Sequence, residues 1–192
     1  GGHALTDIVA PMYPSISAIV SYAKSGKQDR PLIMCEYSHA MGNSNGTLAE
    51  YWKAIHSTPG LQGGFIWEFW DHGLVQTLAD GSTRYAYGGD FGEVRHDGNF
   101  VCDGMVFPDR TPKPAMYEFK AIAAPVEITA IKASAGQFII RNKQFFKDFR
   151  DFDGYWSISC NGEIIDQGHL ALPNVAARKS AKLTIKDRKS VV

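Results

Sequence analysis

The chain has 192 residues, with 20 Lys and Arg residues against 20 Asp and Glu residues and a formal net charge of zero. A balanced charge provides no long-range attraction to nucleic acid or to an anionic membrane surface, so we expect neither as a partner. A hydrophobic fraction of 44% with 12% aromatic residues excludes an intrinsically disordered chain. At about 150 residues per domain, the length suits one domain and part of a second.

The apolar runs of the sequence are short, and none approaches the roughly 18 to 20 residues that a membrane-spanning helix needs. The first seven residues lack the basic start and apolar centre of a signal peptide. Cys35, Cys102 and Cys160 form no CxxC pair, which argues against a disulfide framework and a zinc site. We therefore expect reduced thiols and a cytoplasmic location.

Strand-like and helix-like segments alternate in the N-terminal part, which predicts a parallel sheet with helices over its faces. In chain order these are a strand at 7–10, a helix at 15–24, a strand at 31–36, a helix at 47–56 and a strand at 63–69. The second and third strands are apolar without alternation, which predicts that both of their faces are covered. Ser44 or Asn45 is expected to cap the second helix, whose apolar residues recur at three-to-four spacing.

Glycines punctuate residues 71–110, where we predict a long packed loop of functional importance. A short helix at 114–121 closes the first domain, predicted as 1–124. Short alternating segments then predict an antiparallel β-sandwich over 125–192, with Asn161-Gly162 as a hairpin turn. Its strands are predicted at 126–131, 138–142, 155–160, 163–167 and 181–185.

The densest cluster of reactive side chains, Cys35 to His39, lies at the end of the second predicted strand. Active sites of β/α proteins form at the carboxyl ends of parallel strands, so Glu36 is a candidate base or nucleophile. The alternative is that Glu36 only caps the next helix or forms an ion pair at the strand end. Cys35 beside His39 leaves a thiol nucleophile as another alternative. The GxSxG, GxGxxG, P-loop and HExxH motifs are absent.

A second concentration of aromatic and acidic residues occupies 63–71, at the end of the third predicted strand. Trp67 and Trp70 suit a sugar, because the C–H face of a pyranose stacks on an indole while carboxylates bind its hydroxyl groups. The alternative is that both indoles pack in the core. Tyr13 follows the first predicted strand, and composition alone favours a structural role for it.

Residues 30–44, with the sequence RPLIMCEYSHAMGNS, resemble the nucleophile signature of β-galactosidases of glycoside hydrolase family 2. The resemblance continues in the right order through four further segments, 7–13, 63–67, 87–92 and 103–112. It is strong as far as residue 125 and looser beyond, where the chain is similar to the β-sandwich that follows the barrel in these enzymes.

The resemblance implies a retaining glycosidase that cleaves terminal β-D-galactose from β-galactosides such as lactose, with Glu36 as the nucleophile. It implies that His39 contacts a sugar hydroxyl or the transition state. By the same resemblance, Tyr13 lies beside the nucleophile and Trp67 forms part of the galactose-binding floor.

The resemblance also implies metal sites. The Phe100 backbone carbonyl and the Asp103 side chain fall where the family holds a sodium ion. Asp103 replaces the asparagine of the best-known member, and a carboxylate oxygen serves a hard cation equally well. The family's magnesium ligands and its acid/base glutamate are expected upstream of Gly1, and the resemblance does not give Glu68 the acid/base role.

In fold, the resemblance implies an α/β plus all-β chain. The first part would be the C-terminal portion of a (β/α)8 TIM barrel, about three β/α units, and the second an incomplete immunoglobulin-like β-sandwich. A closed barrel takes about 250 residues, so we expect a fragment that is inactive without the rest of its parent enzyme. Its open strand edges favour self-association. The alternative to a glycosidase fragment is a non-catalytic module that binds carbohydrate or takes part only in assembly.

Overall fold

A computed structural model describes residues 5–26 and 29–185, and the chain divides into two compact units, residues 1–122 and 123–192. The sequence predicts a domain boundary close by, after Ala124. The predicted incomplete end of the second domain falls on residues 186–192, which lie outside the described residues.

Helices and strands alternate in the first unit. They are α1 (Ile16–Lys24), β1 (Leu32–Tyr37), α2 (Leu48–Ser57) and β2 (Leu61–Ile66). β1 and β2 pair in parallel, with Leu32 opposite Leu61 and Tyr37 opposite Ile66. The alternation and the parallel pairing agree with the prediction, although β2 starts before the predicted Gly63 and ends before Phe69.

The first predicted strand, 7–10, is replaced by an interrupted ladder along β1. Val9 and Met12 form isolated parallel bridges with Leu32 and Glu36. Pro11 lies between them and has no N–H to donate, which explains why the ladder breaks there. The segment still runs beside β1, because the Tyr13 N–H donates to the Glu36 carbonyl at 2.9 Å.

One face of the β1–β2 pair packs with α1 and α2 in a single core. Its buried residues are Val9, Ile19, Leu32, Met34, Tyr37, Leu48, Ile55 and Leu61. The other face is open, since Phe65 is 67% exposed and Cys35 is also exposed. The prediction that both faces are covered is therefore wrong: alternate side chains of these apolar runs point away from the helices.

The helix caps follow the prediction only in part. Ser15 caps α1, accepting a hydrogen bond from the Ala18 N–H at 3.2 Å. Neither Ser44 nor Asn45 caps α2, because their side chains bond backbone carbonyls of the preceding turn instead. Thr47 is the N-cap of α2, with a left-handed backbone (φ 66°) and no side-chain cap bond.

Residues 71–110 contain an antiparallel hairpin that the sequence reading missed. Its strands are β3 (Leu74–Thr77) and β4 (Thr83–Ala86), paired from Leu74 opposite Ala86 to Thr77 opposite Thr83. Both strands are largely exposed, so no apolar alternation marks them. The helix α3 (Pro114–Ala123) follows, close to its predicted span.

The second unit is built from antiparallel strands, as predicted. They are β5 (Val126–Lys132), β6 (Gln137–Asn142), β7 (Gly154–Cys160), β8 (Glu163–Leu170) and β9 (Ser180–Thr184). One sheet has the order β5-β6-β9, and β7 and β8 form a hairpin. Asn161 and Gly162 join the hairpin with positive φ angles of 50° and 88°, which agrees with the predicted turn. The core of the second unit includes Ile140, Phe149 and Leu183.

Candidate active site

Glu36 and Tyr13 lie side by side at the carboxyl end of β1. Glu36 is half-buried, and its carboxylate lies near enough to the Tyr13 hydroxyl to shift the pKa of that hydroxyl. Burial and then the hydrogen bond and negative charge of Glu36 raise the pKa of Tyr13 to about 12. Tyr13 therefore keeps its proton and presents it to the Glu36 carboxylate across the neutral range.

His39 follows β1 and lies among aromatic rings and an acid. Its ring centroid is 6.2 Å from that of Tyr13 and 5.4 Å from that of Phe100, with the Phe100 ring stacked. Its Nε2 is 3.6 Å from Oδ2 of Asp103, which is beyond hydrogen-bond length but within range of charge attraction. Three of the residues singled out by the resemblance, Tyr13, Phe100 and Asp103, thus lie around the imidazole of a fourth, His39.

Trp67, just after β2, joins this group through its indole. Its Nε1 donates to Oδ2 of Asp103 at 3.1 Å, and its backbone carbonyl accepts from the Ala40 N–H at 2.7 Å. The turn after β1 and the turn after β2 are therefore tied together. Trp67 is 39% exposed as a residue, so part of it is open to solvent.

Asp103 is buried, with a relative exposure of 2%. One carboxylate oxygen accepts from Trp67, while Oδ1 has no hydrogen-bond partner among the described residues. A buried carboxylate oxygen without a donor is suited to a hard cation, which prefers carboxylate and carbonyl oxygens. Within residues 5–26 and 29–185, no group of three or more His, Cys, Asp and Glu side chains could hold a metal. A cation here would need backbone oxygen ligands.

Glu68, the residue after Trp67, is a perturbed acid that the sequence reading left without a role. Burial raises its pKa to about 7, and contact with the Asp103 carboxyl adds to this rise. His72 opposes the rise, with Nε2 at 3.1 Å from Oε2 of Glu68. The signal in the sequence was weak, because only the fold brings Glu68 beside Asp103.

Trp70 makes its side-chain contacts outside this cluster, and Cys35 makes none of the contacts described for His39. The Trp70 Nε1 donates to the Pro108 carbonyl at 3.2 Å, and the Arg110 guanidinium lies 3.3 Å from the centroid of the indole. Trp70 is 37% exposed, so it is not a core residue. Cys35 is exposed, and the ring and ion-pair contacts of His39 among the described residues do not include it.

The arrangement thus combines a half-buried carboxylate, a phenol beside it, an imidazole, a partly exposed indole and a buried acid. Residues 3–128 match the family model described as "Glycosyl hydrolases family 2, TIM barrel domain", which is more than half of the chain. The chain belongs to glycoside hydrolase family 2. Residues 138–191 match a second model, described as "Beta-galactosidase, domain 4".

Curated relatives named beta-galactosidase cover most of this family 2 chain. The protein from Priestia megaterium is 41% identical over 180 residues, which is 94% of this chain and 17% of the relative. The protein from Aeromonas hydrophila is 38% identical over 194 residues, 95% of this chain and 19% of the relative. The chain therefore spans less than a fifth of the length of these relatives. None of its described helices is both long and apolar enough to cross a membrane.

Proposed function

We propose that this chain is part of a retaining β-galactosidase and that Glu36 is its nucleophile. The observation that carries the proposal is the position of Glu36 at the carboxyl end of a parallel strand, beside the Tyr13 segment, whose N–H donates to the Glu36 carbonyl. A retaining glycosidase needs a carboxylate that attacks the anomeric carbon and forms a glycosyl-enzyme. Family membership and the names of the relatives support the galactoside as the substrate class.

The neighbouring side chains have separate roles in this proposal. Tyr13 holds the Glu36 carboxylate in one orientation and supports its charge before attack. His39 contacts a sugar hydroxyl or the transition state, because its imidazole lies beside Tyr13 and is 28% exposed. Trp67 provides an apolar floor under the galactose ring, since its indole is fixed on one edge by Asp103 and partly open.

A sodium ion fits the chemistry at Asp103. The buried Oδ1 of Asp103 lacks a donor among the described residues, and the backbone carbonyl of Phe100 is the second ligand we propose. When bound, sodium would neutralise Asp103 and orient oxygen ligands near the sugar. For magnesium we propose no ligand in this chain.

In fold, we propose that residues 1–124 are the C-terminal portion of a TIM barrel and that 125–192 belong to an immunoglobulin-like sandwich. The second carboxyl group, which protonates the leaving oxygen and later activates water, is supplied by the rest of the parent enzyme. The isolated chain is therefore inactive. For the parent enzyme we propose a cytoplasmic location.

We further propose that the isolated chain self-associates through the open side of its strands. Phe65 in β2 is 67% exposed there, and Phe69, which follows β2 in the chain, is 65% exposed. Exposed apolar residues of this kind favour association. Sedimentation velocity should show a mass above 21.1 kDa that falls when Phe65 is replaced by Lys, and a monomer at all concentrations would contradict this.

The second candidate function is a carbohydrate-binding or assembly module without catalysis. The partial exposure of the two indoles, 39% for Trp67 and 37% for Trp70, favours it to some degree, because exposed indoles bind sugars without chemistry. It differs from the first candidate in predicting no covalent intermediate.

A mechanism-based 2-deoxy-2-fluorogalactoside tests the proposal on the parent enzyme. The fluorine slows the second step, so the glycosyl-enzyme accumulates and peptide mass spectrometry locates the label. We expect the added mass on Glu36 and none in Glu36→Gln. Label on a different residue, or saturable sugar binding with no label, would refute Glu36 as the nucleophile, and the latter would favour the binding module.

A further inference from the structure

A buried ion pair lies behind the candidate active site. Oδ1 of Asp71 accepts hydrogen bonds from Nζ of Lys113 and from the Gly104 N–H, both at 2.7 Å. The side chains of Asp71 and Lys113 are 4% and 11% exposed. In the described part of the chain, no other pair between a carboxylate and Lys or Arg is as deeply buried on both sides.

This pair joins segments that are far apart in the sequence. Asp71 lies after β2, Gly104 in the turn before α3, and Lys113 directly before α3. The first two segments run side by side, since the Glu68 N–H donates to the Asp103 carbonyl at 2.8 Å and the Asp71 N–H donates to the Val106 carbonyl at 3.0 Å. The carboxylate of Asp71 therefore reinforces a backbone ladder at its centre.

Gly104 shows how closely the two segments approach. A Cβ atom placed on it would lie 2.2 Å from the Asp71 nitrogen and 2.2 Å from the Trp70 carbonyl carbon. No side chain fits at this distance, because non-bonded carbon atoms need about 3.5 Å. The Gly104 N–H is thus held directly against the Asp71 carboxylate, and Gly104 is the residue that follows Asp103.

The same two segments carry the groups that face the sugar in the proposed function. Trp67 belongs to the first and Asp103 to the second, and the indole Nε1 is 3.1 Å from the carboxylate Oδ2. A shift between the segments would change this distance directly. Glu36 is held on β1 by separate contacts with Tyr13.

We infer that Asp71 and Lys113 are positioning residues, which fix Trp67 and Asp103 relative to each other and so set the binding of the galactose ring. This inference rests on the proposed function. A buried carboxylate paired with both an ammonium group and an N–H cannot swing away without leaving an uncompensated charge. The pair acts on sugar binding and does not touch the nucleophile.

The test is the double substitution Asp71→Leu with Lys113→Met in the parent enzyme. Removing one partner alone would leave a buried charge and destabilise the fold, whereas an apolar pair of similar volume is often neutral for stability. Asp71→Leu also leaves the buried Gly104 N–H without its acceptor, so the unfolding midpoint of each variant is measured and the kinetics are recorded well below it. We expect the inhibition constant for D-galactose to rise roughly tenfold and kcat/KM to fall roughly 100-fold, because a 1 Å misplacement has effects of this size.

The matched control is Glu127→Leu with Arg141→Met in the second unit. This pair has the same chemistry, but its side chains are 50% and 49% exposed and its Nη1 to Oε2 distance is 3.4 Å. Exposed pairs of this kind contribute little. The galactose inhibition constant and kcat/KM should stay unchanged in the control.

A double variant with unchanged stability and an unchanged galactose constant would overturn the inference. If Asp71→Leu with Lys113→Met does not fold, the same measurements are made on Asp71→Asn with Lys113→Gln. An unchanged galactose inhibition constant in that variant would likewise overturn the inference. The fluorinated galactoside separates the two claims. If Glu36 is not labelled in the unsubstituted enzyme, the proposed function is refuted. If Glu36 is labelled and the fluorogalactoside concentration that gives half-maximal labelling is the same in both enzymes, only the positioning role is refuted.

Discussion

The acid Glu68 gives the clearest quantitative prediction for the first unit. Its pKa is about 7 in the folded chain, raised from the ordinary 4.5 by burial and by the Asp103 carboxyl. A raised folded pKa means that folding favours the protonated acid. The resulting stability is fully present below pH 4.5 and is lost as the pH rises through 7.

The size of the loss follows from the two pKa values. Each pKa unit corresponds to 1.36 kcal/mol, so the free energy of unfolding of the first unit should fall by about 3 kcal/mol between pH 4 and pH 8 on account of Glu68. Gln cannot ionise at this position. Relative to the unsubstituted chain, Glu68→Gln should therefore gain about 3 kcal/mol over the same pH interval.

The measurement is urea unfolding followed by tryptophan fluorescence at pH 4, 6 and 8. A Trp156→Phe background removes the indole of the second unit, so Trp52, Trp67 and Trp70 report only the first. Tetramethylammonium serves as the buffer cation, because it is too large for a site between carboxylates. A stability difference between Glu68→Gln and its parent that stays constant with pH would refute the reasoning.

Three further predictions concern packing and protonation. Gly104→Ala should lower the free energy of unfolding by about 2 to 4 kcal/mol, because its Cβ would lie 2.2 Å from facing backbone atoms. The control Gly46→Ala should change the free energy of unfolding little in the same urea assay, because a Cβ at Gly46 would have no atom within 4 Å. Met34→Ala should lower the free energy of unfolding by about 2 to 5 kcal/mol, since Met34 is fully buried. Its neighbour Cys35 is exposed, so Cys35→Ala should lower it by less than about 0.5 kcal/mol. Tyr13→Phe should lower kcat of the parent enzyme. It should shift no limb of the pH–rate profile below pH 10, because the pKa of Tyr13 is about 12. An alkaline limb that disappears from the profile of Tyr13→Phe would contradict this pKa.

The grouping of the site residues follows from one rule about strands. Glu36 ends β1 and Trp67 follows β2, and parallel strands bring their carboxyl ends to the same edge of a sheet. Tyr13 enters because its segment runs parallel to β1, although Pro11 interrupts that ladder. Local pattern and strand polarity were enough to place Glu36 and Trp67 at one edge, whereas the position of Tyr13 beside Glu36 came from the resemblance.

Other features depend on contacts that no local pattern encodes. The predicted N-cap of α2 was wrong. Ser44 and Asn45 are common N-cap residues, but here their side chains donate hydrogen bonds to backbone carbonyls of the preceding turn. The β3–β4 hairpin was missed because exposed strands carry no alternation. Asp71 and Lys113 are 42 residues apart, and only the folded backbone shows that a buried carboxylate needs that lysine.

The unpartnered oxygen of Asp103 belongs to the same cluster as Glu68, whose pKa is raised first by burial and then by the Asp103 carboxyl. Two carboxyl groups in contact below the surface need a proton or a cation between them. If sodium binds Asp103 as proposed, it supplies that positive charge and removes the advantage of a proton on Glu68. Replacing tetramethylammonium by sodium should then lower the pKa of Glu68 and flatten the pH dependence of unfolding, and the same exchange should have no effect in Asp103→Ala, which has no side-chain oxygen to bind the ion. A pH dependence that is identical in the two cations would mean that the proton alone resolves the charge, and would count against a sodium ion at Asp103.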